Sequence, residues 1–129
     1  MKFQKKGFIL GQFGTGRSLG ALLVDLFSAY GFDSDSDWQH YIGVLHGKPV
    51  SCSSVFYAAG VAGIYMVATL PEARRQGIGA ATTLQALLEA RERGCRVGVL
   101  QSTEMGYSVY RRLGFETCFK IKTYVQGTL

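Results

Sequence analysis

The spacing of apolar residues in the first forty positions predicts one helix and one short strand. Leucine and phenylalanine recur every three or four residues from Leu19 to Tyr30, between a serine N-cap and a terminating glycine. Phe8 to Leu10 forms a candidate strand, and Gly11 to Gly16 forms a glycine-rich loop. The polar run from Asp33 to Asp37 predicts a further loop. This part of the chain therefore predicts one amphipathic helix ahead of a sheet.

The middle of the chain predicts a meander of three strands. Tyr41 to Leu45 and Pro49 to Tyr57 are apolar runs joined by a turn around Gly47-Lys48, as in an antiparallel hairpin. A second turn at Ala58-Ala59-Gly60 leads into Val61 to Thr69. This third run is apolar enough for a central strand that is covered on both faces.

Helical spacing returns in the second half of the chain. Ala80, Leu84, Leu87 and Leu88 predict a helix that ends near Gly94, and Val97 to Gln101 predicts a short buried strand. Gly106, Val109, Tyr110 and Leu113 predict another helix, capped by Ser102 or Thr103 and stopped by Gly114. Phe115 to Val125 then predicts a final strand or strands. The alternation of helices and strands indicates an α/β fold with a mixed sheet, in one domain spanning residues 1–129.

Composition and charge narrow the classes of function. The 129 residues are 47% hydrophobic and 18% charged, and no apolar run is long enough to cross a membrane, so we expect a soluble, cytoplasmic protein. Cys52, Cys95 and Cys118 have no ligand-like spacing, which predicts reduced and mostly buried thiols without a metal site. The net charge of +5 is dispersed, which favours a small polyanionic ligand over nucleic acid.

The turn after the central strand has the chemistry of a phosphate site. A strand that leads through Gly77 and Gly79 into a helix gathers unpaired backbone N–H groups at the positive end of the helix dipole. The two glycines leave no side chain between the backbone and a ligand, and Arg74 and Arg75 add positive charge. A tight turn with two solvated arginines is the alternative interpretation.

Two segments together resemble a known family. The stretch from Thr69 to Gly79 looks like the acetyl-CoA signature of the GCN5-related N-acetyltransferases (GNAT), Q/R-x-x-G-x-G/A after the fourth strand. The stretch from Val109 to Phe115 resembles the late L-Y-x-x-L-G-F segment of the same family. The resemblance covers about two-thirds of the chain, from Tyr41 to Tyr124. It implies a GNAT-like α/β (α+β) fold with a mixed, mostly antiparallel sheet flanked by helices, and with a shortened N-terminal part.

The resemblance also implies the reaction and the residues that serve it. An amine of a small molecule or peptide would attack the thioester of acetyl-CoA directly, with no metal ion. The pantetheine arm would pair with the main chain at Val67 and Thr69, in a V-shaped gap beside the fourth strand. Tyr110 matches the tyrosine that protonates the departing thiolate. The pyrophosphate would rest on the glycine turn, which here comprises Arg74, Arg75, Gln76, Gly77, Ile78, Gly79 and Ala80.

The sequence leaves the role of Tyr110 and the identity of a general base open. Without the resemblance Tyr110 would be read as a core aromatic residue, because it shares a helical stripe with Val109 and Leu113. The family often has an asparagine where this chain has Ser102-Thr103-Glu104. No general base is assigned, since the fourth strand carries no carboxylate. The candidates for that role are Glu104, His40, His46 and Tyr65.

Other functions compete with the acetyltransferase interpretation. A non-catalytic CoA-binding or regulatory module, completed by a partner chain, would also explain the short N-terminal part, and a homodimer that closes the acceptor site would reconcile the two. Gly11 to Ser18 imitates a P-loop nucleotide site, but Arg17 stands in place of its lysine. Asp33, Asp35 and Asp37 imitate the start of a calcium loop without its later ligands, so a solvated loop is the preferred interpretation.

Overall fold

A computed structural model describes residues 2–5, 37–122 and 124 of the chain, with the backbone alone over 2–5. The strand predicted at 8–10, the loop at 11–16, the helix at 19–30 and most of the polar loop at 33–37 lie outside the described residues. The P-loop-like segment at 11–18 also lies outside them.

The described residues build a five-stranded sheet. Its strands are β1 (Lys2–Lys5), β2 (Trp38–Leu45), β3 (Lys48–Ala58), β4 (Val61–Thr69) and β5 (Val97–Leu100), and they lie in the sheet in this same order. The pairs β1–β2, β2–β3 and β3–β4 are antiparallel, whereas β4 and β5 run parallel. The sheet is therefore mixed and mostly antiparallel, which confirms the expected fold class.

Two tight hairpins join the middle strands, as the sequence predicts. His46 and Gly47 connect β2 to β3, and Ala59 and Gly60 connect β3 to β4; all four have positive φ angles. Positive φ at both central residues is typical of the two-residue turns that match the twist of antiparallel strands. The second position of each turn is a glycine, for which a positive φ carries no steric penalty.

Helix α1 (Ile78–Glu92) connects β4 to β5 and packs on one face of the sheet. Its Ala86 and Ala90 meet Val55 and Ile64 of the central strands in the main core. Small helix residues allow the helix to lie close to the sheet, where each buried apolar group contributes to stability. The core consists of Tyr41, Val55, Ala62, Ile64, Ala86 and Ala90.

Helix α2 (Glu104–Arg112) follows β5 after three residues. Thr103 is the N-cap, and its hydroxyl accepts a hydrogen bond from the N–H of Gly106 at 3.3 Å. Gly114 ends the helical region with a φ of 93°. The predicted cap and stop of this helix are both confirmed.

Three details differ from the sequence prediction. The strand at Lys2–Lys5 was not predicted, because four residues of which two are lysine give too short a pattern. Residues 115–122, predicted as a strand, form none; the backbone N–H and C=O of Phe115 bond instead to Tyr110 and Arg111 of α2. The strand β5 is half-exposed instead of buried, since it lies at the end of the described sheet.

The cysteines also differ in part from the expectation. All three are free, but Cys52 alone is buried, whereas Cys95 is partly exposed and Cys118 is exposed. Within the described residues no cluster of three or more histidine, cysteine or acidic side chains could hold a metal ion. Neither described helix is both long enough and apolar enough to cross a bilayer.

Candidate active site

A gap opens beside β4 where β5 ends. Residues Val61 to Ile64 of β4 pair with Val97 to Leu100, and β5 stops there. The remaining residues of β4, 65–69, have no strand on that side among the described residues. Because β4 and β5 are parallel, their carboxyl ends meet at this gap, and α1 and α2 both begin beyond it. This edge of β4, which has no strand neighbour among the described residues, suits an extended ligand that pairs with it.

A β-bulge lies in β4 at the mouth of the gap. Ser54 pairs with Tyr65 and Cys52 with Ala68, so Met66 and Val67 together oppose one residue of β3. Met66 has a φ of 53°, which is unusual for a residue with a side chain. A bulge leaves its extra residue out of the ladder and re-aims the neighbouring backbone groups.

The buried thiol of Cys52 braces this bulge. Its Sγ donates a hydrogen bond to the carbonyl oxygen of Met66, with an S···O distance of 3.6 Å. Burial raises the pKa of Cys52 to about 11, so the thiol keeps its proton and remains a donor at neutral pH. Sequence reasoning missed this residue, because nothing in the pattern of β3 distinguishes its cysteine from a core side chain.

A side-chain hydrogen bond ties the turn between β4 and α1 to the end of the strand. A short 3-10 turn, Pro71–Ala73, follows the strand, and Arg74 Nε donates to the carbonyl oxygen of Thr69 at 3.1 Å. Arg75 and Gly77 both have positive φ, 62° and 76°. Added Cβ atoms would meet nothing within 4 Å at Gly77, so its conformation and not a lack of space calls for glycine there.

The N-terminus of α1 presents free backbone donors. The first helical hydrogen bond runs from Ala81 N–H to Gly77 C=O at 3.0 Å, and no side chain caps the terminus. The N–H groups of Ile78, Gly79 and Ala80 therefore lack helical partners and add to the positive end of the dipole. An open cavity of about 260 Å³ lies at this terminus, lined by Leu45, Gln76, Gly77, Ile78 and Ala81.

Basic residues lie close to this terminus along the chain and across the sheet. Arg74 and Arg75, which directly precede it, are exposed, as the sequence predicts. Lys48 is also exposed; it pairs with Leu45 across the β2–β3 hairpin, and Leu45 lines the cavity. The sequence did not single out Lys48, since only the strand register shows that this hairpin reaches the glycine turn. The arrangement is able to bind a polyanion through backbone donors and flanking cations.

Tyr110 lies on α2, half-buried, with its ring packed edge-on to Phe115 at a centroid distance of 6.0 Å. Gly106 makes room for the ring, because a Cβ there would lie 2.8 Å from Tyr110 Cε2. The Tyr110 hydroxyl has no hydrogen-bond partner among the described residues. Burial raises the pKa of Tyr110, so the phenol holds its proton at neutral pH.

The four candidate bases lie in different places. Glu104 is exposed at the first position of α2, and His46 is exposed in the β2–β3 turn. His40 is buried, with Nδ1 2.9 Å from Ser54 Oγ, and desolvation lowers its pKa. Tyr65 is 39% exposed and directly precedes the bulge, with its ring 5.6 Å from that of Trp38. Of the four, Tyr65 alone lies on β4.

Comparisons with known proteins agree with this geometry. A sequence model of the acetyltransferase (GNAT) domain matches residues 36–117, well over half of the chain. The chain belongs to the GNAT acetyltransferase family. This match includes the glycine turn and all of α2. Comparison with curated protein sequences gives no match.

Solved structures show that this GNAT domain has the fold of the family. The aminoglycoside N-acetyltransferase AAC(6')-Iy in complex with CoA is 16% identical, with a TM-score of 0.69 over 98% of this chain and 100% of that one. Glucosamine-6-phosphate N-acetyltransferase from Arabidopsis thaliana is 14% identical, with a TM-score of 0.68 over 98% and 100%. A transcriptional regulator from Bacillus halodurans C-125 is 20% identical, with a TM-score of 0.76 over 96% and 99%.

Proposed function

We propose that this GNAT domain transfers the acetyl group of acetyl-CoA to an amine, which attacks the thioester directly. The observation that carries the proposal is the uncapped N-terminus of α1, which follows a strand whose edge beyond Ile64 has no neighbour among the described residues. Phosphate binding and strand pairing, the two interactions that CoA needs, are thus available at adjacent points of the chain.

The pyrophosphate of acetyl-CoA is expected to lie at the start of α1. Backbone N–H groups from Gln76 to Ala80 donate to its oxygens, and the absence of a side chain at Gly79 lets the phosphate approach the backbone. The Cβ of a residue at Gly79 would lie 3.5 Å from Thr69 Oγ1, an ordinary contact, so larger residues there would fold but obstruct the ligand. Arg74 and Arg75 supply charge at the rim.

The pantetheine arm is expected to run along β4. Its amide groups pair with main-chain groups at Val67 and Thr69, which have no strand neighbour on that side among the described residues. This pairing directs the thioester toward the bulge at Met66. Backbone groups that a bulge releases from the ladder can bind the thioester oxygen as negative charge develops on it.

Acetyl transfer needs a base and an acid. The amine nitrogen uses its lone pair to form a bond to the carbonyl carbon, the C–S bond breaks, and its electron pair remains on sulfur. Tyr110 gives its phenolic proton to that sulfur and regains a proton from solvent. Its raised pKa keeps the acid form populated at neutral pH. The amine loses its proton to water or to one of the candidate bases.

The acceptor is a small-molecule or peptide amine. Two similar structures are named for amine-bearing acceptors, an aminoglycoside and glucosamine 6-phosphate, and at this identity they show the fold alone. The family chemistry therefore indicates an amine acceptor. The residues on the acceptor side of the gap would determine which amine is accepted.

Titration calorimetry tests the proposed binding site. Acetyl-CoA and free CoA should both bind the purified protein, and ATP should not. Gly79→Glu should abolish CoA binding, because a carboxylate placed at the phosphate site repels the ligand. Gln85→Glu is the matched control, since it adds the same negative charge to α1 about two turns from its N-terminus, and this variant should bind CoA like the wild type.

Two outcomes would contradict the proposal. A folded Gly79→Glu protein that binds CoA as tightly as the wild type would remove the glycine turn from the site. Equal binding of ATP and CoA would show that the terminus recognises phosphate alone, without the pantetheine arm on β4.

A further inference from the structure

Three aromatic rings meet on the face of the sheet opposite α1. Ile64 meets α1 in the core, so Tyr65, the next residue of β4, points to the other face. Phe56 follows the core residue Val55 on β3 in the same way. The ring of Trp38 lies 5.0 Å from that of Phe56 and 5.6 Å from that of Tyr65, between centroids. We call these three residues, Trp38, Phe56 and Tyr65, the aromatic corner.

The aromatic corner borders the β-bulge of β4. Tyr65 directly precedes the bulge residue Met66, and its ring lies over Gly63, because a Cβ there would be 2.7 Å from Tyr65 Cε2 and 3.0 Å from its hydroxyl oxygen. Glycine at position 63 is therefore what allows this ring to lie along the strand. The ring remains 39% exposed. The aromatic corner thus offers an accessible ring beside the point where the thioester is proposed to lie.

Negative and neutral groups surround the aromatic corner. The strands β2 and β4 and residues 50–58 of β3 contain no lysine or arginine. The ring of His40 stacks on that of Trp38, and burial lowers the pKa of His40, so it adds no positive charge at neutral pH. Asp37, which is exposed, directly precedes Trp38. These surroundings favour a cation over an anion.

The tilt of the rings favours a compact cation over a flat aromatic group. The plane of Trp38 is inclined by 44° to Phe56 and by 50° to Tyr65, so these pairs form no slot with parallel walls. A flat ring held by stacking needs faces that are nearly parallel to its own. An ammonium group has no such plane, and it is attracted to the face of each ring whose centroid lies within about 6 Å.

We propose that the aromatic corner binds the second, protonated amino group of a diamine acceptor while the first, unprotonated one attacks the thioester at the bulge. The inference rests on the function proposed above and narrows its acceptor to amines that carry a second positive charge. The paired residues Trp38, Phe56 and Gly63 lie three positions before Met66, which is about 10 Å at about 3.3 Å per residue. An extended chain covers about 1.2 Å per bond, so the two nitrogens should be about eight bonds apart.

Steady-state kinetics with three amines test this preference. Diaminoheptane, whose nitrogens have the required separation, should have a kcat/KM about tenfold or more above that of heptylamine, which lacks the second charge. The difference should lie mainly in KM, because the second amino group takes no part in the bond changes. Phenethylamine, a flat aromatic amine, should be no better an acceptor than heptylamine.

Variants of Tyr65 separate the ring from its hydroxyl. Tyr65→Leu should reduce the preference for diaminoheptane over heptylamine about fivefold or more, because an apolar side chain remains but one aromatic face is lost. Tyr65→Phe keeps that face and should keep the preference. Tyr124→Leu is the matched control, since Tyr124 is 87% exposed outside the aromatic corner. Asp37→Asn should weaken the preference and make it less sensitive to salt.

Fluorescence gives a readout that needs no acetyl transfer. Trp38 is the single tryptophan of the chain, so a cation held over its ring should change the emission of the protein. Diaminoheptane should change this emission saturably, with a Kd about tenfold or more below that of heptylamine. Tyr65→Leu should weaken the binding of diaminoheptane, and Tyr124→Leu should leave it unchanged.

The two readouts distinguish failure of this inference from failure of the proposed function. Acetylation of diaminoheptane and heptylamine with equal kcat/KM would overturn the inference and leave the acetyltransferase proposal intact. A preference for phenethylamine would overturn it as well, in favour of stacking. Saturable binding of diaminoheptane that depends on Tyr65, without acetylation of any amine, would support the aromatic corner and contradict acetyl transfer. Emission that does not respond to diaminoheptane would exclude the aromatic corner as its binding site.

Discussion

At the scale of single residues, Tyr110 is fixed by its neighbours in a way that suits an acid. The ring is packed against Phe115 and lies over Gly106, so its rotation is restricted, while its hydroxyl has no partner among the described residues. A phenol positioned by packing and not by hydrogen bonding is able to donate to a ligand. Tyr110 is half-buried and not part of the core, so the packing of its ring is compatible with the proposed role as an acid.

Replacing Tyr110 with phenylalanine should lower kcat about 100-fold and leave acetyl-CoA affinity unchanged, because the ring stays packed and only the proton donor is lost. Steady-state kinetics and calorimetry on the same preparation measure both quantities. Tyr107→Phe, on the same helix, is the control and should keep most of the activity. Unchanged turnover in Tyr110→Phe would favour a CoA-binding module or another acid.

His40 should make the stability of the protein depend on pH. Burial lowers its folded-state pKa below the ordinary 6.5, so below that value the unfolded chain takes up the proton first. The free energy of unfolding should therefore fall as pH falls below about 6.5, and level off below the folded pKa.

Urea unfolding between neutral and mildly acidic pH measures this effect. His40→Asn should be less stable at neutral pH and should show a weaker decline on acidification. His46→Asn, in an exposed turn, should retain the wild-type decline. The same pH dependence in wild type and His40→Asn would assign the effect to other groups.

At the scale of elements, the bulge of β4 depends on its neighbour β3. The thiol of Cys52 on β3 donates to the carbonyl oxygen of Met66, and this contact supports a positive φ that the ladder alone would not favour. The main-chain groups that would bind the thioester are thus positioned by a residue on another strand. Cys52 is a positioning residue, because in this structure it contacts the bulge.

Cys52→Ala should lower kcat about tenfold with little change in KM for acetyl-CoA, since misplacement of the bulge affects the transition state more than cofactor binding. Cys52→Ser restores a donor and should recover most of the turnover. The split between kcat and KM, together with this rescue, separates positioning from a simple loss of stability. An equal loss of kcat in the alanine and serine variants would contradict a positioning role for Cys52.

At the scale of the whole molecule, basic residues and the cavity at the start of α1 lie at the same end of the sheet. The net charge of +5 is dispersed along the sequence, yet Arg74 and Arg75 directly precede α1, and the β2–β3 hairpin that carries Lys48 reaches the same cavity through Leu45. A polyanionic ligand is attracted by this cluster before it makes any specific contact.

Affinity for acetyl-CoA should therefore weaken as salt increases, because raising the ionic strength from about 0.1 M to about 1 M shortens the screening length from about 10 Å to about 3 Å. Arg74→Gln with Arg75→Gln should flatten this dependence. Arg111→Gln with Arg112→Gln, on α2, is the charge-matched control and should keep it. A salt dependence that is the same in both double variants would place the attraction elsewhere.

The sequence by itself determined the order of elements from β2 to α2 and the position of the glycine turn. These features depend on local physics: hydrophobic periodicity, the positive φ that glycine allows, and a hydroxyl that caps a helix. The bounds Val61–Thr69 and the cap at Thr103 agree with the prediction for that reason. The family resemblance rested on the same local segments.

Only the tertiary structure decided which residues from distant parts of the chain meet. The bulge braced by Cys52, the approach of the β2–β3 hairpin to the glycine turn and the unpaired stretch of β4 beyond Ile64 in the described sheet depend on strand register and on which strand has a neighbour. Residues 115–122 show the limit most clearly, since their pattern predicts a strand, but a strand forms only where a partner offers backbone hydrogen bonds. Local pattern fixes what a segment is able to become, and packing decides whether it does.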